Sequence, residues 1–148
     1  MKEAKKAVFD FEGYKISKFS FTEPVQGEVN AINLGFAPSG KYFPDDRRFI
    51  LYLQFTATIE NNNEMVKEEM MSVALESSFL FDSEVLSLDS IPPYFYRNSL
   101  AIIFPYLRAF VSTLTFQANI KPIILPILNL TTLETPLKSK IEVIETRN

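Results

Sequence analysis

The chain contains no cysteine, no histidine and no tryptophan among its 148 residues. The missing cysteines exclude disulfide bonds and thiolate ligands for zinc. The missing histidines remove the side chain that most often acts as a general base near neutral pH. Acidic residues remain, but they cluster in predicted turns and tails, as at Asp45-Asp46 and at Glu60 with Glu64. We therefore expect a protein that is not an enzyme and that holds no metal or other cofactor.

Charge and hydropathy also argue against several function classes. The net charge of -3 gives no reason to expect nucleic acid, which binds basic patches. The first fifteen residues lack the apolar core of a secretory signal. The apolar stretch 91–130 is interrupted by Arg108 and by prolines, so its uncharged runs are shorter than the roughly 18–20 residues that span a bilayer. We expect one cytoplasmic domain over 1–148, without membrane insertion.

Two stretches, near 46–61 and 64–82, alternate between apolar and polar residues with a period of two. Such alternation is typical of strands that bury one face. Their apolar faces are Phe49, Leu51, Leu53, Phe55, Ala57 and Ile59 in the first and Met71, Val73, Leu75, Phe79 and Phe81 in the second. Only a short Asn-rich turn separates them, so we predict an antiparallel hairpin.

Weaker alternation predicts two further strands, near 8–23 and 28–37. The apolar phase changes inside the first of them, which indicates a β-bulge near Ser17-Lys18. The run Pro38-Ser39-Gly40 is expected to end the second. No helix separates any pair of these strands, so the four should form an antiparallel sheet.

After Asp82 the period changes to that of a helix. One stripe consists of Leu100, Phe104, Leu107, Val111, Leu114 and Ala118, and a polar stripe consists of Arg108, Ser112, Thr115 and Asn119. This spacing predicts an amphipathic helix over 98–118, with Asn98 as its N-cap and a kink at Pro105. Prolines then favour an extended connection over 120–130. The tail after Thr131 has the spacing of a short helix, whereas 141–144 also fits a short strand. The fold class is therefore α+β, with a long and a short helix on one face of the sheet.

The segments at 14–24, 98–108 and 120–130 together resemble the SecB family of export chaperones. Residues 98–108, NSLAIIFPYLR, resemble the N-x-L-F-P-Y-x-R sequence that opens the family's long helix. Residues 120–130, IKPIILPILNL, are similar to its proline-containing connection, and residues 14–24, YKISKFSFTEP, are similar to its first strand. The resemblance covers residues 14–130. It implies an ATP-independent chaperone, a dimer or tetramer, that binds nonnative polypeptides in apolar grooves.

The resemblance also implies which residues act. The client-binding residues would be Phe19, Phe21, Val25, Ile124, Leu125, Ile127 and Leu128. The oligomer interface would use Phe104, Leu107, Arg108, Val111 and Leu114. Glu23 would dock to the SecA motor, although the family's other docking acids have no counterpart, since the fourth strand carries Ser72 to Ala74 there.

Two client classes and two other function classes stay open. The clients would be preproteins or, as in SecB-like proteins associated with toxin–antitoxin pairs, a labile antitoxin. A small-ligand or lipid-binding protein would use the same apolar groove with Arg108 as an anchor. A fixed-partner module of the immunity type would bind one folded protein. Promiscuous binding of unfolded chains distinguishes the chaperone from both.

Overall fold

The computed structural model describes residues 7–23, 29–61 and 64–145. The elements in chain order are β1 (Phe9–Phe21), β2 (Val29–Phe43), β3 (Arg48–Asn61), β4 (Glu64–Phe81), a 3-10 turn (Leu88–Ser90), α1 (Tyr94–Gln117), α2 (Thr131–Lys138) and β5 (Ile141–Val143). The sheet order is β1-β4-β3-β2-β5. The first four strands pair antiparallel, and β5 pairs parallel to β2. The α+β class is confirmed, but the sheet has five strands where the sequence predicted four.

The fifth strand follows directly from the short second helix. The Gly40 amide donates to the Lys140 carbonyl oxygen, and the Ile144 amide donates to the Tyr42 carbonyl oxygen, both at 2.9 Å or less. These bonds hold 141–143 beside β2. The sequence of the tail left a short helix and a short strand open. The structure contains both, because α2 ends at Lys138 and β5 follows it.

The predicted hairpin is confirmed as β3 and β4. Every predicted apolar-face residue of both strands is buried, and the two strands pair along their whole length. The buried face points at α1, so the core lies between the sheet and this helix. Aromatic rings fill much of it, as where Phe95 of α1 meets Phe49 at 5.0 Å and Phe79 at 5.4 Å between ring centroids.

Strand β2 continues past the prolyl turn at which the sequence predicted its end. Pro38 pairs with Leu53 inside the strand, which runs on to Phe43. Proline is tolerated here because β5 pairs only with residues 40–42, which leaves this part of β2 at the sheet edge. A side chain at Gly40 would collide with the Phe49 ring, so glycine is required for the ring to lie against the strand.

Strand β1 contains two bulges where the sequence predicted one. The predicted shift lies between Ile16 and Lys18, and a second lies between Phe11 and Gly13, where Gly13 has a φ of 127°. Each bulge moves the apolar phase by one residue. As a result six apolar residues of β1 pair with six buried positions of β4, the alternating ones from Met71 to Phe81, and lie on the helix side of the sheet: Phe9, Phe11, Tyr14, Ile16, Phe19 and Phe21.

Helix α1 begins one turn before the predicted N-cap. It starts at Tyr94, directly after Pro92-Pro93, and Asn98 lies inside it. Proline is compatible with a helix start because the first amides have no intrahelical partner. The earlier start places Phe95 in the core, where its ring contacts those of Phe9, Phe49, Phe79, Phe81 and Tyr96.

The predicted buried stripe of α1 is confirmed in the middle of the helix and is wrong at its C-terminal end. Leu107 and Val111 are fully buried, as predicted. The next buried position is Thr115, while Leu114 is only partly buried and Ala118 is exposed. The polar side chain occupies the core position because its hydroxyl is hydrogen-bonded there, which the apolar pattern does not show.

Candidate functional site

Half-exposed aromatic rings line the space between β1 and α1, which we call the β1 flank. The rings of Tyr14 and Tyr106 stack with centroids 4.3 Å apart, and those of Phe19 and Phe110 meet edge-to-face at 5.3 Å. Tyr14 is 43% exposed and Phe19 is 54% exposed. Because β1 is the edge strand of the sheet, this row borders solvent along its length. An apolar ligand could therefore reach these rings without opening the core.

Residues 121–129, which we call the proline segment, lie against another side of α1. The segment has no regular secondary structure and contains Pro122 and Pro126. Its side chains divide between the core and solvent: Leu125 is fully buried, whereas Ile124 is 66% exposed and Ile127 is 91% exposed. It therefore presents two large aliphatic side chains to solvent from a backbone that is anchored on the helix.

The β1 flank and the proline segment lie on opposite sides of α1. Phe110 contacts β1, whereas Ser112 donates a hydrogen bond to the Ile123 carbonyl oxygen at 3.3 Å. Two residues along a helix correspond to about 200° of rotation about its axis. The predicted client-binding residues thus form two separate surfaces, with the helix between them.

The predicted client-binding residues differ in accessibility. Phe19, Ile124 and Ile127 are exposed, and Phe21 and Leu128 are partly buried. Leu125 is fully buried in the core, so in this structure it cannot contact a client. Val25 lies outside the described residues. Client binding itself stays a prediction for all of them.

The predicted interface residues mostly serve the fold of the single chain. Phe104, Leu107 and Val111 are buried in the chain's own core, because this stripe of α1 packs on the sheet. They are therefore not available to a second subunit in this structure. Leu114 is partly buried and Arg108 is exposed, so both remain accessible. Glu23 follows β1 and is exposed, and its role in docking stays a prediction.

The sequence interpretation missed Tyr14, Tyr106 and Phe110 as members of the site. Tyr14 could have been placed only with the bulge at Gly13, since without it Tyr14 is out of phase with Phe11. Tyr106 and Phe110 flank the buried stripe of α1, and they meet β1 only because the helix crosses that strand. A tertiary contact of this kind has no signal in a single sequence.

One charged pair, Arg48 with Glu12, lies on the face of the sheet away from α1. The Arg48 guanidinium donates to both carboxylate oxygens of Glu12 at 2.8 and 3.0 Å, and the Ser78 hydroxyl donates to one of them at 2.7 Å. These hydrogen bonds, from Arg48 first and then Ser78, lower the pKa of the Glu12 carboxyl. Within the described residues, no three acidic side chains are grouped as metal ligands.

Helix α1 is long and apolar enough to cross a membrane, judged by length and composition alone. The charges and prolines thus interrupt it less than the sequence interpretation expected. In the fold, its buried stripe packs on the sheet from Phe95 to Thr115. The core accounts for the apolar character of that stripe.

Comparisons with known proteins agree with this architecture. No protein-family model matches the chain. An uncharacterized protein of Methanocaldococcus jannaschii is 29% identical over 133 residues, which cover 87% of this chain and 84% of that protein. The Mycobacterium tuberculosis SecB-like chaperone Rv1957, solved with a ChAD peptide from the HigA1 antitoxin, superposes with a TM-score of 0.62 at 16% identity. That match covers 82% of this chain and 91% of the chaperone.

The chain has a SecB-like fold. The likeness agrees with the resemblance of residues 14–130 to the SecB family. A Streptococcus agalactiae protein of unknown function also matches, with a TM-score of 0.43 at 10% identity over 80% of this chain and 97% of that protein.

Proposed function

We propose that this protein is an ATP-independent chaperone that binds nonnative polypeptides along the two flanks of α1. The observation that carries the proposal is the row of solvent-exposed aromatic rings on the β1 flank, with Tyr14, Phe19 and Tyr106 at its surface. Contiguous apolar side chains in contact with water are typical of binding surfaces. Burial of client side chains against them is non-directional, so the surface accepts many sequences.

Burial alone supplies enough free energy for such binding. Each large apolar client side chain that becomes fully buried contributes about 1.5–3 kcal/mol. Several such contacts, some on the β1 flank and some at Ile124 and Ile127, would compensate for the entropy that the client loses on binding. The proposed activity therefore requires neither nucleotide nor catalysis, and the protein acts as a binding protein rather than an enzyme.

The structural neighbour favours an antitoxin over a preprotein as the client. The Mycobacterium tuberculosis chaperone of the same fold was solved with an antitoxin peptide. In contrast, docking to SecA in the SecB family uses several acidic residues, of which only Glu23 has a counterpart here. We expect the protein to bind the carboxyl-terminal tail of SecA weakly or not at all, and calorimetry with that peptide checks this.

The experiment is suppression of aggregation of a chemically denatured client, followed by light scattering without ATP. We expect the wild-type protein to slow aggregation, and Phe19→Ser and Ile127→Ser to weaken this protection because each removes an exposed apolar side chain from one flank. Leu86→Ser is the matched control, since Leu86 is 74% exposed but lies in the loop between β4 and α1. Identical scattering curves with and without a several-fold excess of wild-type protein would refute the proposal.

The same assay separates the chaperone from the two other function classes. A small-ligand or lipid-binding protein would retain a small molecule at fixed stoichiometry and leave the aggregation of the client unchanged. A fixed-partner module would bind one native protein and no unfolded chain. Protection of two unrelated denatured clients supports only the chaperone.

We also propose that the chain assembles as a dimer or tetramer, as the family resemblance implies. Since the inner stripe of α1 is used by the core, the assembly would use its outer face, where Phe116 and Arg108 are exposed. Light scattering coupled to size exclusion measures the mass. A monomer at micromolar concentration would refute the assembly. It would leave the proposal of client binding along the two flanks of α1 unchanged.

A further inference from the structure

Two hydroxyl groups of α1 hold the backbone of one residue in the proline segment. The Thr115 hydroxyl oxygen accepts a hydrogen bond from the Ile123 amide at 3.0 Å. The Ser112 hydroxyl donates to the Ile123 carbonyl oxygen at 3.3 Å. Both backbone groups of Ile123 are thus bonded to side chains of the helix, in a stretch of chain that has no regular secondary structure.

Thr115 is an unusual choice for the position that it occupies. It is fully buried on the face of α1 that, apart from Ser99 and the tyrosine hydroxyl of Tyr96, otherwise carries apolar side chains. A valine would have nearly the same shape and would bury no hydroxyl, whose transfer from water is unfavourable unless it is hydrogen-bonded. Here the hydroxyl donates to the Val111 carbonyl oxygen at 3.0 Å while it accepts from Ile123. The Thr115 hydroxyl oxygen therefore links α1 to the proline segment.

The hydrogen bonds to Ile123 fix the backbone directly before an exposed side chain. Leu125 is fully buried, so Ile124 lies between two residues that are held against the rest of the fold, and its own side chain is 66% exposed. The helix and the core thereby restrict where the Ile124 side chain can point.

We propose that Ser112 and Thr115 are positioning residues for client binding. They hold the proline segment so that Ile124 is presented to the client in an ordered arrangement. This inference rests on the proposed chaperone function. Its physical basis is that a preorganised surface loses less conformational entropy on binding than a surface that must first become ordered.

The test compares Thr115→Val, which removes the hydroxyl, with Thr115→Ser, which keeps it. The probe is fluorescently labelled, reduced and alkylated α-lactalbumin, a permanently unfolded chain, and its Kd is measured by anisotropy. We expect Thr115→Val to raise the Kd about threefold to tenfold and Thr115→Ser to stay within about twofold of wild type. Hydrogen exchange of the Ile123 amide should accelerate in Thr115→Val alone.

Two controls separate positioning from general destabilisation. Thr113→Val alters an exposed threonine of the same helix and should change neither quantity. Ile103→Val removes a buried methyl group away from the proline segment, so it should lower the Tm by about 2–4 °C and leave the Kd unchanged. If Thr115→Val does not fold, Ser112→Ala takes its place in the test. Ser112→Ala should also raise the Kd for the probe.

The outcomes distinguish the two proposals. If the wild type binds the probe and Thr115→Val binds it equally well, the positioning role is overturned and the chaperone function stands. If Ile103→Val weakens binding as much as Thr115→Val, the effect is loss of stability and the positioning role is again overturned. If the wild type does not bind the probe, the proposed function fails and the positioning role fails with it.

Discussion

Replacing Phe95 with alanine tests whether the first turn of α1 is part of the core. The structure starts the helix at Tyr94 and buries Phe95 completely, whereas the apolar spacing predicts a helix that begins at Asn98. The ring contacts three strands, through Phe9 of β1, Phe49 of β3 and Phe79 of β4, at centroid distances of 5.0 to 5.4 Å. Alanine at this position would leave a cavity between the helix and the sheet.

The expected loss is a large part of the total stability. A fully buried phenylalanine replaced by alanine lowers the free energy of unfolding by about 3–5 kcal/mol. A domain of this size is stable by about 5–15 kcal/mol. We therefore expect Phe95→Ala to lose between about a fifth and all of the stability, with a loss near about 5 kcal/mol because several aromatic pairs are lost together.

Urea unfolding followed by circular dichroism measures this loss, with Tyr94→Ala as the control. Tyr94 precedes Phe95 in the chain but is half-exposed, so its truncation should lower the free energy of unfolding by less than about 1 kcal/mol. Equal effects of the two variants, or a loss below about 1 kcal/mol for Phe95→Ala, would refute the early helix start. The helix would then begin near Asn98, as the sequence predicts.

Three further predictions follow from buried and paired polar groups. Thr115→Asp should lower the Tm more than Leu114→Asp, because Thr115 is fully buried and Leu114 only partly; the opposite order would restore the helix phase predicted from the sequence. Tyr42→Phe should raise the free energy of unfolding by about 1 kcal/mol, since its buried hydroxyl has no hydrogen-bond partner within the described residues; a decrease in urea titrations would contradict this. Because the pKa of Glu12 is lowered in the fold by Arg48, its contribution to stability is present above the unfolded pKa and is lost as the pH falls through the folded value. Glu12→Gln should therefore remove about 0.2–1 kcal/mol of the stability difference between neutral and acidic pH, and an unchanged pH dependence would count against the ion pair.

The sequence by itself determined the features that depend on local periodicity. The hairpin of β3 and β4 follows from strict alternation, since a one-residue slip would turn every apolar side chain to solvent. The helical character of the stretch around Leu107 and Val111 follows from spacings of three and four. The resemblance around 98–108 and 120–130 predicted the SecB-like fold, which the structure comparison confirmed.

Only the tertiary structure decided the features that depend on distant pairing. The second bulge of β1 is defined against β4, and β5 exists because bonds to β2 hold three residues that would not form a strand alone. The sequence pattern places Thr115 on a polar stripe and not in the core, because its partner, the Ile123 amide, comes from a different segment. For the same reason the sequence does not show that α1 separates the predicted client-binding residues into two surfaces. A single sequence shows which side chains are apolar and which are polar. The residues that bury them or form hydrogen bonds with them are determined only by the tertiary structure.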